Sequence, residues 1–95
     1  MSGIDSDAVL SRIGAEVKRR RGGLGLTQIE LAERAEVHPN VIGRLERGAY
    51  NPTVLVLSRI AAALETTIPD LLRLGSRAVN SDIPPQYRDP RGGRR

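Results

Sequence analysis

The 95-residue sequence has no Cys, no Trp and no Phe, and only two Tyr. The absence of Cys excludes a disulfide framework and a thiolate zinc site, and it suits a reducing cytoplasm. With so few aromatic residues, a core must be built from Leu, Ile, Val and Ala. No apolar run approaches the roughly 20 residues of a membrane span, and the N-terminus lacks the plan of a signal peptide. We therefore expect one small cytoplasmic domain without a membrane segment.

The net charge of +4 at pH 7 is concentrated near the C-terminus. From Gly75 onward there are five Arg, two Asp and several Pro and Gly, with too little apolar surface to form a core. We predict a folded domain in residues 1–74 and a disordered or extended tail in residues 75–95. Within the domain, the run from Lys18 to Arg21 is the only dense basic cluster. It suits either contact with phosphates or a solvated helix end whose cations offset the helix dipole.

Apolar residues recur at the spacing of helices, which predicts five α-helices and no strand. The predicted helices cover about 5–21, 27–35, 38–47, 53–64 and 67–74. Thr27 and Glu30 have the spacing of a capping box, and Pro39 is tolerated at the first position of a helix. The predicted apolar positions of the second helix are Ile29, Leu31, Ala32 and Ala35. The fold class is therefore all-α.

Residues 27–47 have the layout of a helix-turn-helix, in which two short amphipathic helices are joined by a tight turn. In this motif the second helix presents polar side chains to DNA while its other face is held on the domain. The expected inward-facing residues are Leu31, Ala35, Val37, Ile42 and Leu45. The expected outward-facing residues are His38, Pro39, Asn40, Gly43, Arg44 and Arg47.

Gly43 distinguishes this outward face from an ordinary solvated one. A glycine in the middle of a helix costs about 1 kcal/mol relative to Ala, so on an exposed face it suggests that another surface approaches closely. Duplex DNA is a suitable approaching surface, because Asn40 can pair with adenine and Arg44 with the major-groove edge of guanine. His38 is the only histidine, so we expect it to cap the helix or to face DNA. We expect no catalytic residue, no metal site and no cofactor.

Further segments between Ile13 and Leu72 carry a recognisable pattern. They are Ile13-Gly14, Gly25-Leu-Thr-Gln-x-Glu-Leu-Ala32, Ile42-x-Arg-Leu-Glu-Arg-Gly48, Asn51-Pro52, Leu57-x-x-Ile-Ala61 and Leu64. This pattern, with its spacing kept throughout, resembles the xenobiotic-response-element (Cro/phage-repressor) family of helix-turn-helix domains. The resemblance implies a compact five-helix, lambda-repressor-like DNA-binding domain.

The resemblance also implies roles for individual residues. Family residues that match Pro39, Asn40 and Arg44 commonly face base edges. The residue that matches Gln28 commonly contacts a phosphate and helps to brace the recognition helix. Phosphate contact or bracing is expected of Thr27, Gln28, Arg47, Lys18 and Arg21.

Four positions need separate interpretation. Glu36 stands where many family members have Gly in a left-handed turn, a strain of about 1–2 kcal/mol. His38 replaces the usual Ser or Thr cap, and Pro39 offers only shape or apolar contact, as with a thymine methyl. Glu46 matches a family acid, which we expect to be structural, in an ion pair with a first-helix Arg such as Arg21.

We expect a sequence-specific transcriptional regulator, in particular a repressor, that binds double-stranded DNA as a homodimer. The residues that either form the dimer interface or merely cover the first or fifth helix are Leu55, Val56, Leu72 and Leu74. The alternative is an antitoxin or another protein-interaction module with the same fold, whose tail binds a protein partner. We expect neither a small-molecule domain nor enzyme activity.

Overall fold

The computed structural model describes residues 5–72, and the structural statements below concern that part of the chain. This range contains five α-helices and no strand, which confirms the all-α prediction. The helices are α1 (Ser6–Gly23), α2 (Gln28–Ala35), α3 (Pro39–Glu46), α4 (Val54–Ala63) and α5 (Ile68–Leu72). None of these helices combines the length and the apolar content needed to cross a membrane. Leu74 and the predicted tail, 75–95, lie outside the described residues.

The helix starts follow the local chemistry of the sequence. Asp5 caps α1 by accepting hydrogen bonds from the backbone N–H groups of Asp7 and Ala8. Thr27 caps α2 in the predicted capping box. The N–H of Glu30 donates to Thr27 Oγ1 (3.0 Å), and the N–H of Thr27 donates to Glu30 Oε1 (2.8 Å). These bonds satisfy donors that a helix start otherwise leaves unpaired.

The end of α1 differs from the prediction, since the helix continues past Arg21 to Gly23. Gly22 and Gly23 remain helical, and the chain instead reverses at Gly25, whose φ is +73°. The N–H of Leu26 then donates to the carbonyl of Arg21 (3.0 Å) and closes the helix end. The predicted end is wrong because a glycine pair permits a helix to end without requiring it.

The core is entirely aliphatic, and all five helices contribute to it. Its members are Ile13, Val17, Leu31, Ala32, Ala35, Ile42, Leu45, Leu57, Ile60, Ala61, Leu64 and Leu71. Ile29 does not belong to this core, because its side chain is 59% exposed. Its assignment to the apolar face of α2 is therefore wrong. Residues two apart on a helix do not share a face, and Leu31 is the one that points inward.

α1 and α3 cross at Gly14, where their backbones touch. A Cβ at this position would overlap the carbonyl oxygen of Leu45, so only glycine permits the close approach. Gly48, just beyond α3, has a φ of +74°, and a Cβ there would lie 2.8 Å from Ser11 Oγ. These contacts hold the C-terminal end of α3 against α1.

Candidate nucleic-acid interface

The turn between α2 and α3 sets the direction of the second helix. Glu36, which ends α2, has φ 59° and ψ 44°, the left-handed conformation that the family pattern implies. The next residue, Val37, packs against the core, and its N–H donates to the carbonyl of Ala32 (3.0 Å). Since the left-handed conformation costs an L-residue about 1–2 kcal/mol, the packing of Val37 helps to hold a strained turn.

α3 has one buried and one exposed face. Ile42 and Leu45 are completely buried. The exposed residues are His38, Pro39, Asn40, Arg44 and Arg47, and Gly43 is half-buried. An open groove, called the α3 groove below, is lined by Gln28, Ile29, Pro39, Asn40, Gly43, Arg44 and Arg47. The structure therefore brings four of the five residues predicted to face bases into one groove and keeps the fifth, His38, exposed at the start of the same helix.

His38 replaces a hydroxyl cap with a ring nitrogen. The backbone N–H of Asn40 donates to Nδ1 of His38 (3.0 Å), so His38 is the N-cap of α3. A ring nitrogen that accepts carries no proton, which leaves Nε2–H as the donor of the neutral imidazole. The capping role predicted for His38 is present, and its side chain is exposed.

Glu46, at the end of α3, is the centre of a polar network that joins three helices. Arg21 of α1 donates to it twice, from Nε to Oε2 (2.6 Å) and from Nη2 to Oε1 (3.0 Å). Arg21 Nη1 donates to the carbonyl of Leu26 (2.8 Å). Gln28 of α2 donates from Nε2 to Glu46 Oε1 (3.0 Å). The predicted ion pair between Arg21 and Glu46 is thus present, and Gln28 adds to it.

Each of the three guanidinium nitrogens of Arg21 donates a hydrogen bond in this network. Its side chain is only 15% exposed, and its hydrogen bonds to the Glu46 carboxylate raise the pKa of Arg21 above the ordinary value. Phosphate contact and bracing were the two roles open to Arg21, and these contacts favour bracing. Gln28 is exposed in the α3 groove while it donates to Glu46, so its position suits both roles.

The four cations of the basic run in α1 differ in their partners. Arg19 donates from Nε to Glu16 Oε1 (3.0 Å), and Arg20 donates from Nε to Glu16 Oε2 (2.6 Å). The hydrogen bonds from Arg19, and then from Arg20, outweigh burial and lower the pKa of the Glu16 carboxyl below its usual value. Lys18 is exposed and forms no ion pair within residues 5–72. It lies four residues, about one helical turn, after Gly14.

Tyr50, which no sequence pattern singles out, lies beside Arg44. The guanidinium carbon of Arg44 lies over the Tyr50 ring, 5.5 Å from its centroid. Arg44 Nη2 also lies 3.5 Å from the carbonyl oxygen of Ala49, which is long for a hydrogen bond. Tyr50 follows α3 in a loop, where no helical spacing connects it with Arg44. Its only signal in the sequence is that it is one of two aromatic residues.

The residues predicted for a dimer interface differ in exposure. Leu55 is 61% and Leu72 is 39% exposed. Val56 is half-buried and packs against the core, and Leu74 lies outside the described residues. Val54, which was not predicted, is 77% exposed beside Leu55. Of the residues predicted for the interface, Leu55 and Leu72 thus expose apolar side chains, and Val54 does so as well.

The fold and this surface define a helix-turn-helix DNA-binding domain. A short helix is fixed at its C-terminal end by Glu46, capped at its start by His38, and exposes Asn40 and Arg44 between them. This is the arrangement by which such domains present a helix to DNA. The sequence model of the helix-turn-helix family HTH_3 matches residues 17–71. The chain belongs to this family.

Two relatives illustrate the relationship. An uncharacterized HTH-type transcriptional regulator from Methanothermobacter thermautotrophicus is 48% identical over 48 residues, which cover 50% of this chain and 70% of the relative. The immunity repressor protein of Bacillus phage phi105 is 36% identical over 52 residues, which cover 55% of this chain and 36% of the repressor. The chain thus spans most of the first relative and about a third of the second.

A solved structure shares the fold. The clp gene regulator ClgR from Corynebacterium glutamicum superposes with a TM-score of 0.69 and 31% identity, covering 77% of this chain and 80% of ClgR. The protein is therefore a DNA-binding transcriptional regulator, in a family of regulators and not of enzymes. Among residues 5–72, no group of His and carboxylate side chains is arranged to hold a metal ion.

Proposed function

We propose that the protein is a repressor that inserts α3 into the major groove of DNA. The observation that carries this proposal is the contrast between the two parts of α3. Its end is fixed by the Glu46 network, whereas Asn40 and Arg44 are exposed in the α3 groove. A helix fixed in this way holds polar groups at constant positions against the base edges. Repression is favoured over activation because the phage phi105 relative is an immunity repressor.

Asn40 and Arg44 are the proposed base-reading residues. The amide of Asn40 can both donate to and accept from adenine, and the guanidinium of Arg44 can donate twice to guanine. Each pairing contributes about 1–3 kcal/mol of discrimination. At the start of the helix, Pro39 offers apolar contact, and His38 offers its Nε2–H as a donor.

Gly43 supports a close approach of DNA. A Cβ at this position would meet only the side chains of Arg47 (3.5 Å) and Gln28 (3.6 Å), at ordinary van der Waals distances. Packing within residues 5–72 therefore does not require glycine here, although a mid-helix glycine costs about 1 kcal/mol. The space beside Gly43 is proposed to be occupied by DNA.

Thr27, Gln28, Arg47 and Lys18 are the proposed phosphate contacts. Thr27 and Gln28 stand at the start of α2, where the helix dipole attracts a phosphate. The Thr27 hydroxyl accepts a bond from Glu30 and can still donate its own proton. Arg47, at the end of α3, and Lys18, in α1, are exposed cations. Such contacts orient the domain on DNA without distinguishing its sequence.

Two copies are proposed to bind an inverted repeat. A single small domain contacts few bases, whereas a two-fold dimer places two recognition helices about one helical turn apart. Leu55, Leu72 and Val54 are the proposed contact residues because they expose apolar side chains. A regulator of this kind acts where the DNA lies, which we propose to be the cytoplasm.

Residues 75–95 are proposed to add affinity for DNA that does not depend on its sequence. This segment has five Arg and two Asp, and cations near DNA release counterions from the phosphates. Its deletion is expected to weaken binding to cognate and random DNA equally and to reduce the salt dependence of both. If the deletion left the salt dependence of DNA binding unchanged, residues 75–95 would not contact DNA phosphates. Binding of a protein partner by this segment would then be tested.

Selection of the protein against random duplex DNA, at near-physiological salt, tests the proposal. We expect an inverted repeat whose half-sites lie about one helical turn apart. Placed across a promoter, this site is expected to lower transcription in vitro when the protein is added. A single half-site would support base reading and contradict the dimer. Recovery of no motif would overturn the proposal and favour the protein-interaction module.

A further inference from the structure

Arg44 is restrained from two sides in the free protein. Its backbone belongs to α3, and its guanidinium lies over the ring of Tyr50, 5.5 Å from the centroid. A long exposed Arg side chain ordinarily samples many rotamers, and it loses that freedom when it binds a base. The cation–π contact with Tyr50 restricts this freedom before DNA arrives.

The loop that carries Tyr50 is itself fixed relative to α3. The N–H of Ala49 donates to the carbonyl of Arg44 (2.8 Å). Gly48 packs against Ser11 of α1, and the ring of Tyr50 is half-buried against the core. The ring therefore has a defined position, from which it can orient a neighbouring side chain.

The contact with Tyr50 leaves Arg44 able to bind a base. The face of the Tyr50 ring attracts the guanidinium through its positive charge and not through a conventional hydrogen bond, so the N–H donors of Arg44 are not used up by the ring. Guanine accepts hydrogen bonds from such donors through O6 and N7. Within residues 5–72, the one acceptor recorded for Arg44 is the carbonyl of Ala49, at 3.5 Å from Nη2. Because this hydrogen bond is long and therefore weak, Arg44 can readily give it up to bind a base.

We propose that Tyr50 is a positioning residue that sharpens the base preference of Arg44. The inference rests on the proposed role of Arg44 as a base-reading residue. Tyr50 favours the guanidinium orientation that matches the two acceptors of one base, and it disfavours the rotamers that other bases would need. Its effect is therefore confined to the base pair that Arg44 reads.

Tyr50→Leu and Tyr50→Phe test this role in competition binding to the cognate site and to sites altered at one base pair each. Leu keeps apolar bulk against the core without a ring, whereas Phe keeps the ring and lacks only the hydroxyl. Tyr50→Leu is expected to reduce discrimination at one base pair by about two- to fivefold, the size of an exposed cation–π contact. Tyr50→Phe is expected to keep wild-type discrimination. Circular dichroism and thermal melting establish that both variants are folded.

Arg44→Ala separates failure of this inference from failure of the proposed function. Arg44→Ala is expected to abolish the preference at the same base pair. If it does so while Tyr50→Leu leaves that preference unchanged, the positioning role is overturned and the base-reading role stands. If Arg44→Ala changes no preference, the base-reading role fails and the inference fails with it.

The double variant gives a second readout. Tyr50→Leu is expected to have no further effect on base preference once Arg44 is Ala, because the two residues act as a unit. An additional loss of preference would mean that Tyr50 contacts a base itself and would overturn the positioning role. A uniform loss of affinity in both Tyr50 variants, without a change in preference, would assign the hydroxyl to a phosphate and would also overturn it.

Discussion

Arg21 and Glu46, 25 residues apart in the sequence, form a two-bond ion pair that joins α1 to the end of α3. The Glu46 side chain is only 3% exposed, and Gln28 donates to the same carboxylate. A carboxylate is tolerated at this depth because donors from two other helices satisfy it. The same contact that stabilises the domain therefore holds the helix that is proposed to read DNA.

Glu46→Ala is expected to destabilise the domain by about 3 kcal/mol, because it leaves the mostly buried guanidinium of Arg21 without its counter-charge. Chemical denaturation followed by circular dichroism measures the change. Glu33→Ala, at an exposed acid of α2, is the control and is expected to change stability by less than about 0.5 kcal/mol. Equal effects in the two variants would show that the ion pair contributes no net stability.

Glu36→Gly is expected to stabilise the domain by about 1 kcal/mol, because glycine adopts the left-handed conformation at this position without strain. Glu33→Gly, inside α2, is the matched control and is expected to destabilise it by about 1 kcal/mol. Thermal melting compares both with the wild type. A lower melting temperature for Glu36→Gly would mean that the Glu36 side chain makes a stabilising contact that outweighs the strain.

Gly43→Ala is expected to affect stability and DNA binding in opposite directions. The new methyl group fits at ordinary contact distances from Arg47 and Gln28, so the better helix propensity of Ala adds up to about 1 kcal/mol of stability. In the complex, the same methyl group lies where DNA is proposed to approach, so the affinity for cognate DNA falls. Melting and a binding titration measure the two quantities. Unchanged affinity would mean that no surface approaches Gly43 closely.

Arg44→Ala and Arg47→Ala are expected to weaken binding in different ways. Arg44→Ala removes about 1–3 kcal/mol from binding to the cognate site and spares random DNA, because a base contact is lost. Arg47→Ala weakens binding to both and reduces the salt slope by about one, because a phosphate contact is lost. Titrations at several salt concentrations distinguish them. Equal losses on cognate and random DNA for Arg44→Ala would show that Arg44 contacts only phosphate.

Glu16 is expected to make stability depend on pH in acid. Its pKa is lower in the folded state than the ordinary value of 4.5, because Arg19 and Arg20 bind its charged form. This contribution is fully present above the ordinary pKa and is lost as the pH falls through the lower, folded value. Glu16→Gln is expected to flatten the fall in stability across that window, as measured by denaturation at a series of pH values. An unchanged pH profile would contradict the assignment, and Glu33→Gln serves as the control.

Short-range patterns predict the features of this protein that depend on neighbouring residues. The capping box at Thr27 and the cap at His38 each involve contacts within a few positions of the chain. The left-handed conformation of Glu36 was instead implied by the family resemblance. Ile29 shows the limit of such patterns. Ile29 is apolar and would be assigned to the core on that ground alone. Because Leu31 points inward and lies two positions away on the same helix, Ile29 points to the surface.

The sequence by itself determined the five helices within residues 5–72, their caps and the polar side chains that α3 exposes, since these depend on helical periodicity and local hydrogen bonding. The family resemblance implied an ion pair between Glu46 and a first-helix Arg such as Arg21, and the tertiary structure decided how deeply that pair is buried. Arg19 and Arg20 bind Glu16 three and four residues away within α1, so these pairs are local. The tertiary structure also decided that the guanidinium of Arg44 lies over the ring of Tyr50. The pairing of Arg21 with Glu46 and the position of Tyr50 depend on how closely α1 crosses α3 and on the path of the loop after α3. The periodicity of apolar residues along one helix contains no information about the crossing of two helices or the path of a loop.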